Sequence, residues 1–172
     1  MTAATPPVLE TERLRLRGYV HADFRAFADY FESERSIYTD GPVSRAVAWD
    51  LFASGLGRWG LVGYGAWSLE RKSDGVCIGL VSLNAPAVID EPELGWILYE
   101  PFEGSGYAEE AAKCALAYAF ETLGWTTLVS GIHLDNDKSV RLAGRLGGRI
   151  DPDVRVPSEP QTLIFRYAPP LV

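Results

Sequence analysis

From Glu100 to Leu123 the chain reads Glu-Pro-Phe-Glu-Gly-Ser-Gly-Tyr-Ala-Glu-Glu-Ala-Ala-Lys-Cys-Ala-Leu-Ala-Tyr-Ala-Phe-Glu-Thr-Leu. Just before it, Glu93 to Tyr99 has the pattern of a strand. From Tyr107 to Leu123, residues Ala108, Ala111, Ala112, Ala115, Leu116, Ala119, Phe120 and Leu123 form one apolar helical face, stopped by Gly124. Between strand and helix lies a turn holding Gly104 and Gly106. A strand, a glycine turn and a helix N-terminus in series present free backbone N–H groups to an anion, and the helix dipole adds partial positive charge. The glycines permit close approach and left-handed backbone angles. The segment therefore predicts a seat for a phosphate-bearing cofactor. It is not a nucleotide-binding loop, because no Gly-Lys-Ser/Thr follows and no acidic residue closes a dinucleotide unit.

Outward from this segment, the remaining elements can be placed. Leu14-Arg15-Leu16-Arg17 alternates as a first strand should. His21-Ala22-Asp23 precedes Phe24, Phe27, Ala28 and Phe31 at helical spacing, with Asp23 close to a cap position. A short helix is expected around Ser44 to Leu56, followed by a Gly- and aromatic-rich stretch with Trp59 and Tyr64. Gly65 to Glu70 and Val76 to Leu83 read as strands joined by the hairpin turn Ser73-Asp74-Gly75. Thr126 to His133 is a further strand. Asp135-Asn136-Asp137 caps a short helix carrying Val140, Ala143 and Leu146, closed by Gly147-Gly148, and Leu163 to Tyr167 is the last strand. The order predicts an α+β, three-layer α/β/α domain on one mostly antiparallel sheet.

At 172 residues the chain is expected to form a single domain over 1–172 with a core of its own. Its formal charge of −7 argues against a nucleic-acid partner; it is compatible with a cationic substrate such as an amine, or simply keeps the protein soluble. No apolar run is long enough to span a membrane, and Met1 to Val8 lacks a signal-peptide pattern, so no membrane partner is expected. Cys77 and Cys114 lie far apart without metal-ligand spacing, as reduced thiols of a cytoplasmic protein do.

From about Leu9 to Ile150 the chain resembles the GNAT acetyltransferases, in the branch of the ribosomal-protein N-terminal acetyltransferases (RimJ/RimL-like). The resemblance rests on four pieces in order: Thr11-Glu12-Arg13-Leu14-Arg15-Leu16-Arg17, Glu93-Leu94-Gly95-Trp96, Gly104-Ser105-Gly106-Tyr107-Ala108, and Asn136-Asp137-Lys138-Ser139 leading to Leu146-Gly147. It implies the GNAT fold, in which the central strand splays from its neighbour, here Thr126 to His133. It also implies acetyl-CoA as cofactor. Its pyrophosphate would sit on the N–H groups of Gly104, Ser105, Gly106, Tyr107 and Ala108. Its pantetheine arm would pair like an extra strand with Trp96, Ile97 and Leu98, and an N–H there would stabilise the developing oxyanion. Relatives usually open the turn with Gln or Arg and often carry Lys or Arg between the glycines. Here those positions are Glu103 and Ser105, so the seat is expected to rest on backbone and dipole, with Glu103 adding negative charge beside it.

The resemblance also marks candidate catalytic groups. Glu93 matches the strand-borne general base of many relatives, or is a partly solvated strand carboxylate or salt-bridge partner. Ser139 matches a serine that protonates the leaving thiolate, or only hydrogen-bonds in the first turn of its helix. Asn136 is a cofactor contact by resemblance and a helix N-cap by its sequence context. His133, at a strand end, is a second candidate base or a surface residue. Cys114, on the body of the helix with no base in view, argues against covalent catalysis and for direct attack in a ternary complex. Tyr38, Trp49, Trp59, Tyr64 and Trp67 are either acceptor-pocket residues or core. The expected function is an N-acetyltransferase acting on a primary amine, either a protein N-terminus or a small molecule. The alternative is a non-catalytic acyl-CoA-binding or sensor module. Relatives are often dimers, so a homodimer is among the states to test.

Overall fold

The computed structural model describes residues 5–85 and 91–169, so the first half of the Met1 to Val8 reading lies outside the described residues. Eight strands form one sheet in the order β1-β2-β3-β4-β5-β6-β8-β7. They are β1 (Leu9–Glu10), β2 (Leu14–Arg17), β3 (Ala66–Arg71), β4 (Cys77–Asn84), β5 (Glu93–Leu98), β6 (Leu128–His133), β7 (Arg149–Ile150) and β8 (Thr162–Tyr167). Every neighbouring pair is antiparallel except β5 and β6, which run parallel. The helices are α1 (Phe24–Phe31), α2 (Arg45–Val62), α3 (Tyr107–Ala117) and α4 (Asp137–Arg145).

Side-chain alternation along the strands divides the core between two faces. On one face Ala111, Ala112, Ala115 and Leu116 of α3 and Ala143 of α4 pack with Leu94, Leu128 and Ile132. On the other, Phe27 and Phe31 of α1 and Ala48 and Phe52 of α2 cover Leu80, Ile97 and Tyr99. The layering is therefore α/β/α, as the sequence order predicts. The alanines of α3 let that helix lie close to the sheet. The helix ends in a π turn over Tyr118–Thr122, where Leu123 N–H bonds Tyr118 C=O at 3.0 Å, and Gly124 follows at φ 68°.

Helix α2 differs from expectation. It begins after the Ser44 cap as predicted, but it runs on through Gly55, Gly57 and Gly60 to Val62 and stops at Gly63, whose φ is 80°. Of these glycines, Gly55 serves a close contact. The Tyr19 ring lies against Gly55, where an added Cβ would be 3.0 Å from its edge. One turn on, Trp59 is buried and donates its indole N–H to Ala66 C=O at 3.0 Å. Burial of that tryptophan against Trp67, with ring centroids 4.7 Å apart, offsets the poor helix propensity of the glycines.

Candidate active site

β5 and β6 pair at a single register position, Glu93 opposite Val129. Just beyond it, side chains take over from the ladder. Ser130 Oγ donates to Leu94 C=O at 2.6 Å, and Gly131 N–H donates to Glu93 Oε1 at 3.0 Å. The strands then part. Tyr99 N–H bonds Ile78 C=O on β4, so by the two-residue alternation of an antiparallel ladder Ile97, Gly95 and Glu93 also turn their peptide groups to β4. The peptide groups of Leu94, Trp96 and Leu98 turn the other way, into the gap. Of the three strand residues singled out by resemblance, Trp96 and Leu98 thus face the gap with their backbone, whereas the peptide groups of Ile97 complete the sheet.

The turn that follows has the predicted backbone. Gly104 and Gly106 sit at φ 79° and 80°, a region costly for any residue with a Cβ. Gly106 is the N-cap of α3 and has no side chain to cap with. The first helical bond is Glu110 N–H to Gly106 C=O at 3.1 Å, which leaves the amides of Tyr107, Ala108 and Glu109 without an intrahelical acceptor. Ser105 places its carbonyl on Arg13 Nη1 at 2.9 Å. The acidic side chains of the first helical turn are tied away. Glu109 pairs with Lys113 and Arg145, and Glu110 with Arg13.

Glu103 carries the negative charge expected at this turn, but it does so as a paired carboxylate. Lys138 of α4 reaches it at 2.6 Å, and Arg35, from the segment after α1, pairs with its other oxygen. Burial alone would raise the Glu103 pKa, but the hydrogen bonds from Lys138 and Arg35 outweigh it and hold the carboxyl below its usual range. Two cations therefore answer one anion beside the free amides. Arg35 also donates to Leu98 C=O at 3.2 Å, joining the turn to the end of β5.

Ser139 meets Trp96 across the gap, with Asn136 behind it. The Trp96 indole N–H donates to Ser139 Oγ at 3.3 Å, leaving the serine O–H to donate elsewhere. Asn136 Oδ1 accepts the Ser139 N–H at 3.3 Å, so Asn136 caps α4 as its sequence context predicts.

On the opposite face of β5 the gap opens into a cleft of about 560 Å³. Glu93 lines it with Asp40, from the loop before α2, and Glu159, from the segment before β8. Burial pushes the Glu93 pKa up, the Gly131 hydrogen bond opposes this, and Asp40 and Glu159 add to the rise. Asp40 holds a left-handed backbone at φ 67°, which Asp tolerates better than most residues. Neither Asp40 nor Glu159 was found by sequence reasoning. Only the Asp40-Gly41 dipeptide, a turn signal, hinted at the first.

The other candidates, Tyr38 apart, do not line the cleft. His133 stacks on Tyr38 with ring centroids 5.0 Å apart. Its Nδ1 accepts Asp135 N–H at 3.2 Å and its Nε2 lies 2.9 Å from Gln161 Oε1, so both ring nitrogens are engaged. Of the five aromatic candidates only Tyr38 lines the cleft. Trp59 and Trp67 are core, Trp49 packs edge-on to Phe24, and Tyr64 packs edge-on to Trp125. Cys77 and Cys114 are unpaired and half-buried, and burial pushes both thiols up, Cys77 to about 11. Among the described residues no group of His, Cys, Asp and Glu could hold a metal, and no helix is long and apolar enough to cross a membrane.

Residues 13–149 match the Acetyltransferase (GNAT) domain. The chain belongs to the GNAT acetyltransferase family. The crystal structure of the acetyltransferase from Agrobacterium tumefaciens strain C58 is similar at 42% identity and a TM-score of 0.90, covering 96% of each chain. The N-acetyltransferase YoaA of Bacillus subtilis is 26% identical over 149 residues, 82% of each chain. RimL, a ribosomal L7/L12 α-N-protein acetyltransferase in complex with coenzyme A, shares the fold at a TM-score of 0.76 and 15% identity, covering 94% of this chain and 98% of RimL.

As a GNAT acetyltransferase, the protein takes its acetyl group from acetyl-CoA. The residues present fit that group. The uncapped amides of α3 and the open space beside Gly104, where an added Cβ would meet nothing within 4 Å, suit a pyrophosphate. The gap-facing backbone of Trp96 and Leu98, where Arg35 takes the Leu98 C=O, offers a strand edge.

Proposed function

We propose that this acetyltransferase acts on a primary amine, a peptide N-terminus or a small molecule, which enters from the α1/α2 face and reaches the gap beside Glu93. The observation that carries the reading is the Glu93 carboxylate. It is desolvated, fixed by the Gly131 amide at 3.0 Å, and set between the acceptor cleft and the parted strands. A carboxylate with a raised pKa is suited to take a proton from an ammonium group. Asp40 and Glu159 make the cleft attractive to that cation before it is deprotonated.

Gly104 to Ala108 hold the pyrophosphate by backbone N–H groups, with Arg35 and Lys138 adding charge at the rim. Trp96 and Leu98 align the arm. Asn136 fixes the start of α4, and Ser139, oriented by the Trp96 indole, delivers a proton from Oγ to the departing sulfur. Acetyl-CoA, when bound, supplies the thioester carbonyl that the neutral amine attacks directly. The half-buried, raised thiol of Cys114 has no place in this scheme.

Pairing of Glu103 with Lys138 and Arg35 weakens one of the two supports, Glu103 and Ser105, for the alternative of a module that binds acyl-CoA without turning it over. The single sheet supports one domain over 1–172, and the two unpaired thiols support a cytoplasmic setting. Sedimentation would distinguish monomer from homodimer. The test of function is release of free CoA from acetyl-CoA across a panel of amines and peptides. Turnover on a primary amine that is lost in Glu93→Gln supports the reading, and binding without turnover on any acceptor overturns it.

A further inference from the structure

The acceptor cleft is not uniformly acidic. Its floor is a row of small side chains running across three strands, since Ala66 pairs with Ser82 and Ser82 with Gly95. Small residues in register leave room above the sheet. At one end of the floor stand Glu93, Asp40 and Glu159. From α2, which roofs the floor, Arg58 also lines the cleft.

Arg58 differs from the other arginines of the two neighbouring helical segments. Arg45 is paired with Asp29 and Glu32, and Arg35 with Glu103. Among the described residues Arg58 has neither an ion pair nor a hydrogen bond, although it is half-buried at a ligand-sized cleft. A guanidinium carries five donors in a fixed fork, matched to two oxygens of a carboxylate or phosphate. Such a fork, set at the cleft without a protein partner, is free to make charge-assisted hydrogen bonds to an anionic ligand. The continuation of α2 past its glycines is what carries Arg58 to this place.

We propose that Arg58 anchors an anionic group on the acetyl acceptor, so that the preferred substrates are amines that also carry a carboxylate or phosphate. The inference rests on the amine-acetyltransferase reading above and narrows it. The acidic end receives the ammonium next to Glu93, and Arg58 receives the anion, so charge complementarity fixes the direction in which the acceptor lies. A purely cationic or neutral amine would satisfy only one end.

The test compares matched amines: an amino acid, its amide, and the corresponding aminoalkyl phosphate. Steady-state kcat/KM is measured for wild type, Arg58→Gln and Arg58→Lys. Wild type should prefer an anionic member over the amide by roughly tenfold or more, chiefly through KM. Arg58→Gln should bring the members of the set together, and Arg58→Lys should keep part of the preference. Whichever anion shows the larger preference identifies the group, carboxylate or phosphate. The same contrast is read without turnover by calorimetric titration of each amine into the CoA-loaded protein, so a failure of catalysis leaves the Arg58 question answerable. Equal affinities in wild type, or a preference that survives Arg58→Gln, would overturn the proposal. If calorimetry shows the Arg58-dependent preference but no amine is acetylated, the catalytic reading fails and the anchor stands.

Discussion

Arg13 and Glu110 close a clasp between the start of the chain and the first turn of α3. Glu110 accepts from Arg13 Nε at 2.6 Å, Arg13 N–H at 2.8 Å and Thr11 Oγ at 2.6 Å. The same guanidinium bonds the Ser105 carbonyl and lies 4.5 Å from the centre of the Tyr107 ring. The Thr11-Glu12-Arg13 motif therefore has a physical purpose at the cofactor turn, 92 positions away from Ser105. Arg13 draws a carbonyl aside, so that the neighbouring amides are what the turn presents. Glu110→Ala removes three accepted hydrogen bonds and should lower stability by about 1–3 kcal/mol, discounted because Arg13 is partly exposed. It should also weaken CoA binding in calorimetry. Loss of stability with unchanged CoA affinity would confine the clasp to the fold.

Gly106→Ala isolates the backbone at the seat. The added Cβ would meet only Arg13 Nη2, at 3.4 Å, so space is not the obstacle. The left-handed φ of 80° is, and it costs an alanine roughly 1–2 kcal/mol. CoA affinity should fall about tenfold or more as the turn relaxes toward an ordinary helix start. Gly106→Pro, whose ring fixes φ near −65°, should abolish binding altogether. Unchanged binding in the proline variant would remove this turn from the cofactor site.

Glu103 opposes two effects. Its charge repels a pyrophosphate, and its carboxylate gathers Lys138 and Arg35. Arg35 keeps its bond to Leu98 C=O in any case, and Lys138 is largely exposed, so the charge term should dominate. Glu103→Gln is expected to tighten CoA binding severalfold at low ionic strength, about 1 kcal/mol, and the gain should fade as salt rises. Weaker binding at every salt concentration would show instead that Glu103 acts by holding the two cations.

What was legible in the sequence was whatever has a local signal. The glycine turn, the alanine face of α3, the Asn136 cap and the Ser73-Asp74-Gly75 hairpin each follow from near neighbours, and each appears in place. What was not legible depends on distant partners. The helical state of Gly55 to Gly60 requires Tyr19 and the Trp59–Trp67 contact, which no local pattern announces. The two-residue strands β1 and β7 have too few residues to show alternation. The charged groups of the cleft beyond Glu93 come from two loops and a helix, so Asp40, Glu159 and Arg58 share no spacing. The charge of Glu103 was visible, but not its pairing with Lys138 and Arg35.

Asp23 should set the acid stability of the α1 face. It is buried at 4% exposure and accepts from Arg17 at 2.8 and 3.0 Å, Ser68 Oγ at 2.7 Å and Val20 N–H at 3.0 Å. Burial, the largest single influence, would raise its pKa, yet the hydrogen bonds from Arg17, Ser68 and Val20 together hold it below the usual value. A lowered native pKa gives stability that is fully present above the ordinary Asp range and is lost as pH falls through the lowered value. Asp23→Asn should cost on the order of 3 kcal/mol near neutral pH, since it leaves Arg17 short of a buried partner. It should also flatten the acid limb of Tm against pH. A steep limb that persists in the variant would assign acid unfolding to other carboxylates.

Glu93 carries the opposite sign. Burial, with Asp40 and Glu159, raises its pKa against the Gly131 hydrogen bond, so the native state favours the protonated form. Its contribution to stability is therefore greatest below the ordinary carboxylate range of about 4.3 and declines as pH rises to the raised value, with no further change above it. A base must be ionised to act, so kcat/KM should climb with pH through that same raised pKa. Glu93→Gln keeps an oxygen for the Gly131 N–H while removing the charge. It should lower kcat by roughly 10²–10⁴, erase the acid limb of the rate profile and leave Tm unchanged or slightly higher. The stability readout separates chemistry from folding. If the acid limb persists in Glu93→Gln at reduced rate, the proton goes to another group, and Asp40 and Glu159 are the carboxylates in the cleft to substitute next.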